Sequence, residues 1–304
     1  MDRFDAMLAF TRVVELSSFT KASESLNLPK TTLSAQILAL ERRLGARLLN
    51  RTTRHVGVTD EGAAYYERVV SLLSQLEETE ALVRASKVEP RGRLRVDMPA
   101  AVGHRIVIPA LGSFIERYPD ITLEVGCTDR PLDLVPEGVD CVLRGNLIHD
   151  ESLVVRKLGT FDIGTCASPA YLERYGAPKT PKEMESHKVC QIFSSKNRRL
   201  FELNFTKNGT RTEVLGKYFA AYNDIESALA GALAGLGIVQ LPLYILQEHL
   251  GAGRLALILT DYQTDGIPIN LLYPQNKMVS SRVKAFISWT QELFAKTDHV
   301  TVPR

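Results

Sequence analysis

The chain has 304 residues, of which 45% are hydrophobic and 24% charged, and its formal net charge is +2. That composition belongs to an ordinary water-soluble globular protein, long enough for two or three domains that each bury a core. It opens on charged Met-Asp-Arg-Phe-Asp with no early apolar stretch, and no apolar run approaches the ~20 residues a membrane span needs, so a cytoplasmic protein is expected. Cys127, Cys141, Cys166 and Cys190 show no Cys-x-x-Cys spacing and sit in apolar, strand-like runs, which reads as buried small side chains rather than a redox pair or metal site.

Residues 3–16 read as a first helix with Phe4, Met7, Leu8 and Val14 inward. Next, Phe19, Ala22 and Leu26 fall on one helical stripe, and Leu33, Ile37, Leu40 and Leu44 on another, joined through Asn27-Leu28-Pro29. Pro29 suits the first position of the second helix, where a missing N–H costs nothing. Two short amphipathic helices with a tight turn make a helix-turn-helix, whose second helix enters the DNA major groove. Between residues 20 and 57 stand Lys21, Lys30, Arg42, Arg43, Arg47, Arg51 and Arg54 against Glu24 and Glu41 alone, a local excess of +5 within a chain of +2. A phosphate-facing surface requires such a local excess.

Gly45 stops the second helix, and residues 51–58 alternate β-branched and polar side chains as a short hairpin, a wing that offers Arg51 and Arg54 to DNA. Thr59 is a good N-cap with Asp60 and Glu61 behind it. From there to about Lys87 runs a long helix in which Tyr66, Val69, Leu73, Leu76, Glu80 and Val83 keep a heptad spacing. Such a seam calls for a partner helix, the alternative being packing onto the chain's own domains. Glu80 interrupts it.

These features together, Phe10-x-x-Val13-Val14-Glu15, S-F-T-K-A-S-E-S-L, P-K-T-T-L-S-A-Q-I-x-x-L-E-x-x-L-G, L-L-x-R-T-T-R and V-T-D-E-G, resemble the N-terminal domain of LysR-type transcriptional regulators. The resemblance implies a winged helix-turn-helix over 1–58, a linker and dimerisation helix over 59–89 that pairs subunits through Tyr66, Val69, Leu73, Leu76 and Val83, and a two-lobed, periplasmic-binding-protein-like α/β effector domain over 90–304. Its lobes would be 90–160 with 268–304, and 161–267. It further implies double-stranded promoter DNA with an interrupted palindrome, a small-molecule effector, a homodimer or homotetramer and RNA polymerase as partners, no cofactor and no catalysis. With the apolar stripe inward, Lys30, Thr31, Thr32, Ser34, Ala35 and Gln36 are the residues expected to meet bases, and Arg51, Thr53 and Arg54 belong to the wing. The family often has arginine where this chain has Ala35. A methyl group packs on a thymine methyl, so an A·T pair is expected opposite it.

Glu89-Pro90-Arg91-Gly92 breaks the long helix, and beyond it short apolar strands alternate with amphipathic helices. The strands are 94–98, 121–127, 141–144, 161–167, 188–193, 217–222, 237–240 and 269–273. The helices are 105–118, one near 132–135, one from Ser168-Pro169 to Tyr175, 224–234 and 280–296. That alternation predicts a parallel α/β sheet. Ligands of such sheets bind beyond the C-terminal strand ends, which here places Pro99, Ala100, Val102, Thr128, Arg144, Asn223, Leu241 and Pro242 around one cleft, with Asp129, Arg130 and Asp224 beside them. Each residue alone is equally explained by a cap, a turn or a local ion pair. Gly231, Gly235 and Gly237 end a helix and precede a strand, the reverse of a phosphate cradle, and His104 reads as a solvent or cap histidine. No Walker lysine, H-E-x-x-H or G-x-S-x-G motif is present. A solute-binding protein or binding-fold enzyme with an N-terminal extension is the rival reading, disfavoured by the missing export signal and catalytic constellation.

Overall fold

The computed structural model describes residues 2–51, 56–83, 89–130, 134–145, 152–275 and 279–302. The chain divides into two compact units, Met1–Glu89 and Pro90–Arg304.

In the first unit, α1 (Arg3–Leu16) is capped by Asp2, whose carboxylate accepts the Phe4 N–H at 3.0 Å. α2 (Phe19–Ser25) and α3 (Lys30–Leu44) follow, joined through Asn27 in the left-handed region at φ 50. Pro29 takes the N-cap of α3 rather than its first helical position, because its ψ of 139° is extended. Ala9, Phe10, Val13, Ala22, Leu33, Ile37 and Leu40 form the core, with Phe19 and Leu26 packed at its edge.

The inward face of α1 runs through Ala6, Ala9, Phe10 and Val13; of the expected residues Met7 is buried and Val14 packs at the core's edge, whereas Phe4 and Leu8 are 45% and 40% exposed. The small Ala6 and Ala9 set that face, since they let the neighbouring helix approach while Phe10 and Val13 fill the space. Leu44 is also exposed, because the chain reverses at Gly45 (φ 66) and the core passes to Leu48 and Leu49 instead. β1 (Leu49–Arg51) pairs antiparallel with β2 (Val56–Val58), and the residues between them lie outside the described part.

α4 (Asp60–Val83) follows, with Thr59 Oγ1 accepting the Gly62 N–H at 2.9 Å. Its opening turns are committed to the same unit. Tyr66 meets Phe10 edge-on at 6.5 Å between ring centroids, and Val69 is buried. Tyr66 therefore packs at the edge of the winged unit's own core. Leu73 and Leu76 remain half-buried, and the side chain of Val83 lies outside the described part.

In the second unit, β3 (Gly92–Met98) leads into a continuous helical run: α5 (Ala100–Val102), a π turn over Gly103–Val107, and α6 (Ile108–Arg117). β4 (Ile121–Cys127), α7 (Leu134–Glu137), β5 (Cys141–Gly145) and β6 (Leu153–Phe161) complete the outward path. The chain enters a second lobe at Asp162. That lobe holds β7 (Ile163–Ala167), α8 (Pro169–Tyr175), a 3-10 turn at Pro181–Ser186, β8 (Gln191–Ile192), β9 (Leu203–Lys207), β10 (Thr210–Val214) and β11 (Ala221–Tyr222). It continues with α9 (Ile225–Leu233), β12 (Val239–Pro242), α10 (Leu243–Gly251) and β13 (Ala256–Leu257). The return comprises β14 (Ile267–Pro274), α11 (Ser281–Phe294) and β15 (Val300–Thr301).

The first lobe's six-stranded sheet has the order β15-β6-β14-β5-β3-β4. It is mixed rather than parallel: β4, β3 and β5 run parallel, while β14, β6 and β15 alternate against them. β6 was hidden in the sequence because its exposed Arg156 and Lys157 interrupt the apolar run. The β9–β10 hairpin was equally missed, although Asn208-Gly209 at φ 53 and 77 is a strong hairpin turn signal. β7 carries β12 and β13 on its two edges, both antiparallel. Among the described residues, no helix is long and apolar enough to cross a membrane.

Trp289, the only tryptophan, packs at 5.2 Å against Phe114 and donates its indole N–H to Ser113 Oγ at 2.9 Å. Phe114 is fully buried against Phe286 as well, so Phe114→Ala should cost the second unit about 3–5 kcal/mol. Urea unfolding followed by tryptophan fluorescence reads that unit alone and checks the expectation.

Candidate functional site

On the first unit, α3 presents Lys30, Thr31, Thr32 and Ala35 to solvent, with Ser34 half-buried at the edge. Lys30 is tethered, its Nζ donating to Thr20 Oγ1 of α2 at 3.3 Å. Lys21, Arg42, Arg43 and Arg47 are exposed on the same unit. Gln36 departs from expectation: it is 6% exposed, lying on the inward arc beside Leu33, Ile37 and Leu40, and its Oε1 has no hydrogen-bond partner among the described residues. Thr53 and Arg54 lie outside the described residues, and of Arg51 the backbone in β1 is described.

On the second unit, the three parallel strands bring together side chains that sequence distance separates. Asp97 of β3 is 5% exposed, and its Oδ1 accepts from Arg144 of β5 at 2.6 Å and from the Thr128 hydroxyl after β4 at 3.2 Å. A buried carboxylate is stable only with such partners. Gly126 is required alongside, since a Cβ there would meet Asp97 Oδ2. Asp97 was not among the expected residues, although a single acid inside the apolar strand Leu94-Arg95-Val96-Asp97-Met98 was a usable signal.

Asp129 follows Thr128 beyond β4, where the Ala100 backbone favours its ionised form. Although the residue is open to solvent as a whole, partial burial and then the negative charge of Asp224 hold its carboxyl above the usual carboxylate range. Asp224 belongs to the second lobe, where it caps α9 by accepting the Ser227 N–H at 2.7 Å and hydroxyl at 2.6 Å. The lobes also touch through Arg105 of the π turn, which binds Glu226 of α9 in a bidentate pair at 2.7 and 3.0 Å. Ala101 packs into the second lobe's core, and Tyr244 at the start of α10 touches both cores. Burial, and next the Glu226 carboxylate, push the Tyr244 phenol up.

Of the expected cleft residues, Pro99, Ala100, Thr128 and Arg144 gather at the strand ends, and Asn223 is exposed beside Asp224. Val102 is buried in the first lobe's core. Leu241 and Pro242 are buried as well, Leu241 within the second lobe's core. The unforeseen α10 begins at Leu243 and folds back over that strand end, which is why those side chains are covered. His104 is exposed. Gly235 (φ 76) follows α9, and the Leu236 N–H closes on Gly231 O at 3.0 Å, a C-cap rather than a phosphate loop. All four cysteines are free, and burial pushes the Cys166 and Cys190 thiols up to about 12, so neither carries thiolate near neutral pH.

A winged helix-turn-helix with exposed cations, continued in one chain by a two-lobed α/β binding domain, defines a DNA-binding regulator controlled by a small molecule. The comparisons agree. The family described as bacterial regulatory helix-turn-helix protein, lysR family, matches residues 4–63, and the LysR substrate binding domain matches residues 87–295. The chain belongs to the LysR family of transcriptional regulators.

It is 37% identical over 292 residues to the regulator YhjC of Escherichia coli (strain K12), covering 95% of this chain and 97% of the relative. It is 34% identical over 300 residues to a transcriptional repressor of Pseudomonas aeruginosa (strain UCBPP-PA14), covering 99% and 95%. Among solved structures it is similar to CrgA, a LysR-type regulator from Neisseria meningitidis, with a TM-score of 0.60 and 28% identity over 96% of this chain and 99% of that one.

Because Asp129 has a raised carboxyl, it destabilises the fold above its folded-state pKa and not below the ordinary carboxylate value. Asp129→Asn, which removes the charge and keeps the shape, should raise the thermal midpoint at about pH 7 and leave it unchanged near about pH 3. Calorimetry at the two pH values checks this.

Proposed function

We propose that the protein binds an interrupted palindrome at a promoter as a dimer or tetramer and that a small effector bound between the lobes controls its action there. The observation that carries the effector reading is the meeting of Asp97, Thr128 and Arg144 at three adjacent parallel strand ends, where ligands of open α/β sheets bind. Pro99, Ala100 and Asn223 complete the proposed lining. Two charged pairs, Arg144 with Asp97 and Arg105 with Glu226, stand at this cleft, an arrangement that supports ligand binding. A ligand that contacts both lobes shifts the balance between their arrangements by its difference in affinity.

For DNA, Lys30, Thr31, Thr32, Ser34 and Ala35 face the bases, while Arg51, Thr53 and Arg54 serve the wing. Leu73, Leu76 and Val83 pair α4 with its copy in a second subunit. Cytoplasmic promoter DNA is the site of action, and RNA polymerase is the partner of an activating complex; in vitro transcription with and without the protein tests that contact.

Two measurements test the reading. Binding-site selection with wild type and Ala35→Arg should move one position per half-site from A·T toward G·C, a preference worth about 1–3 kcal/mol; an unchanged site would mean that Ala35 faces no base. A compound that raises the wild-type melting midpoint in a metabolite screen should bind Thr128→Val at least about tenfold more weakly, a loss of about 1.4 kcal/mol. Equal affinity in titration calorimetry would remove Thr128 from the site.

A further inference from the structure

The turn from the recognition helix into the wing hangs on one residue. The backbone carbonyl of Glu41 accepts the N–H groups of Gly45 and Ala46, the latter at 3.2 Å. Its side-chain Oε1 accepts the N–H groups of Leu48 at 2.9 Å and Leu49 at 3.1 Å. Three amides of the four-residue connection and the first amide of β1 therefore end on one residue, 9% exposed. From the other side, Thr59 holds the same connection: its N–H donates to Leu48 O at 3.1 Å and its hydroxyl to Arg47 O at 2.7 Å. Gly62 leaves no room for slippage, because a Cβ there would collide with Leu48 O. β1, which begins at Leu49 and carries Arg51, is thus clamped on its N–H side by α3 and on its C=O side by the start of α4.

We infer that Glu41 is a positioning residue for DNA binding: its carboxylate locks the wing strand to the recognition helix, so that Arg51 meets phosphate in register with the base-reading face of α3. This rests on the reading that the wing contacts DNA. An acid near a phosphate-binding surface would otherwise weaken binding, and burying a carboxylate costs free energy that polar partners must offset. Its use here is to hold the connection between two DNA-contacting elements.

The test uses the full chain and the duplex selected by the wild type, with affinity measured against salt. Arg51→Ala should lower the log–log salt slope by about one unit, a loss near about fivefold in affinity at ~0.15 M salt. Glu41→Ala should produce the same loss of slope, and should add none in the Arg51→Ala background. Glu41→Gln, which retains an acceptor oxygen, should bind with the wild-type slope.

If removal of charge were what mattered, Glu41→Ala and Glu41→Gln would both bind more tightly. If Glu41 merely supported the fold, Glu41→Ala would lower the melting midpoint while its active fraction kept the wild-type slope. Either result overturns the inference. An unchanged slope in Arg51→Ala would instead remove the wing contact on which it rests. Should Glu41→Ala fail to fold, Glu41→Asp, charged but one methylene too short to reach both amides, carries the same expectation.

Discussion

A backbone N–H that leaves a helix or strand without a partner must find an acceptor, and in this chain the acceptor is repeatedly a carboxylate. Glu41 takes the amides that lead from α3 into the wing. Asp2 and Asp224 cap α1 and α9. Asp140 accepts the Arg95 N–H beside the parallel strands. These acids stand where elements end. Modest overall charge conceals a division in the first unit, where Lys21, Lys30, Arg42, Arg43 and Arg47 are exposed while Glu41 is turned inward to hold backbone.

The second unit owes its two-lobed form to a small number of crossings. Asp162 separates β6 from β7, its N–H bonded to His299 O at 3.0 Å and its carbonyl to the Leu243 N–H at 2.8 Å. β14 returns the chain to the first sheet between β5 and β6. Beside these crossings, Arg105 and Glu226 join the lobes by a charged pair, and Ala101 and Tyr244 join them by packing. An ion pair partly open to water contributes modestly, whereas apolar contact that must separate when the lobes move costs in proportion to the area exposed. The packing of Ala101 and Tyr244 therefore sets the resting arrangement more than the ion pair does, and the ion pair fixes its register.

How much was legible follows from how far apart the interacting residues are in the chain. α2 and α3 were read to within a residue or two because their apolar stripes, the Asn27 turn and the Gly45 stop are all local signals. β4 and the Ser168, Asp224 and Ser280 caps were readable for the same reason. β6 was not, since a strand whose middle faces solvent loses its apolar run. The facing of α1 failed more subtly: Phe4 and Leu8 looked like core by size, but the face is chosen by which residues let α3 come close. Tyr66 fits a heptad and also meets Phe10 of α1, and a heptad looks the same whether its side chains face a second chain, the chain's own first helix or both.

The sequence by itself determined the class of the protein, because the helix-turn-helix, its basic excess and the break at Glu89-Pro90 are properties of short segments. Only the tertiary structure decided that Arg144 answers to Asp97, that Leu241 and Pro242 are covered by α10, that Gln36 turns inward and that Glu41 reaches Leu48 and Leu49. The physical reason is that a charge or a polar group is read in sequence as exposed until a partner is found, and the partners of Arg144 and Asp97 lie on separate strands brought side by side only by the sheet.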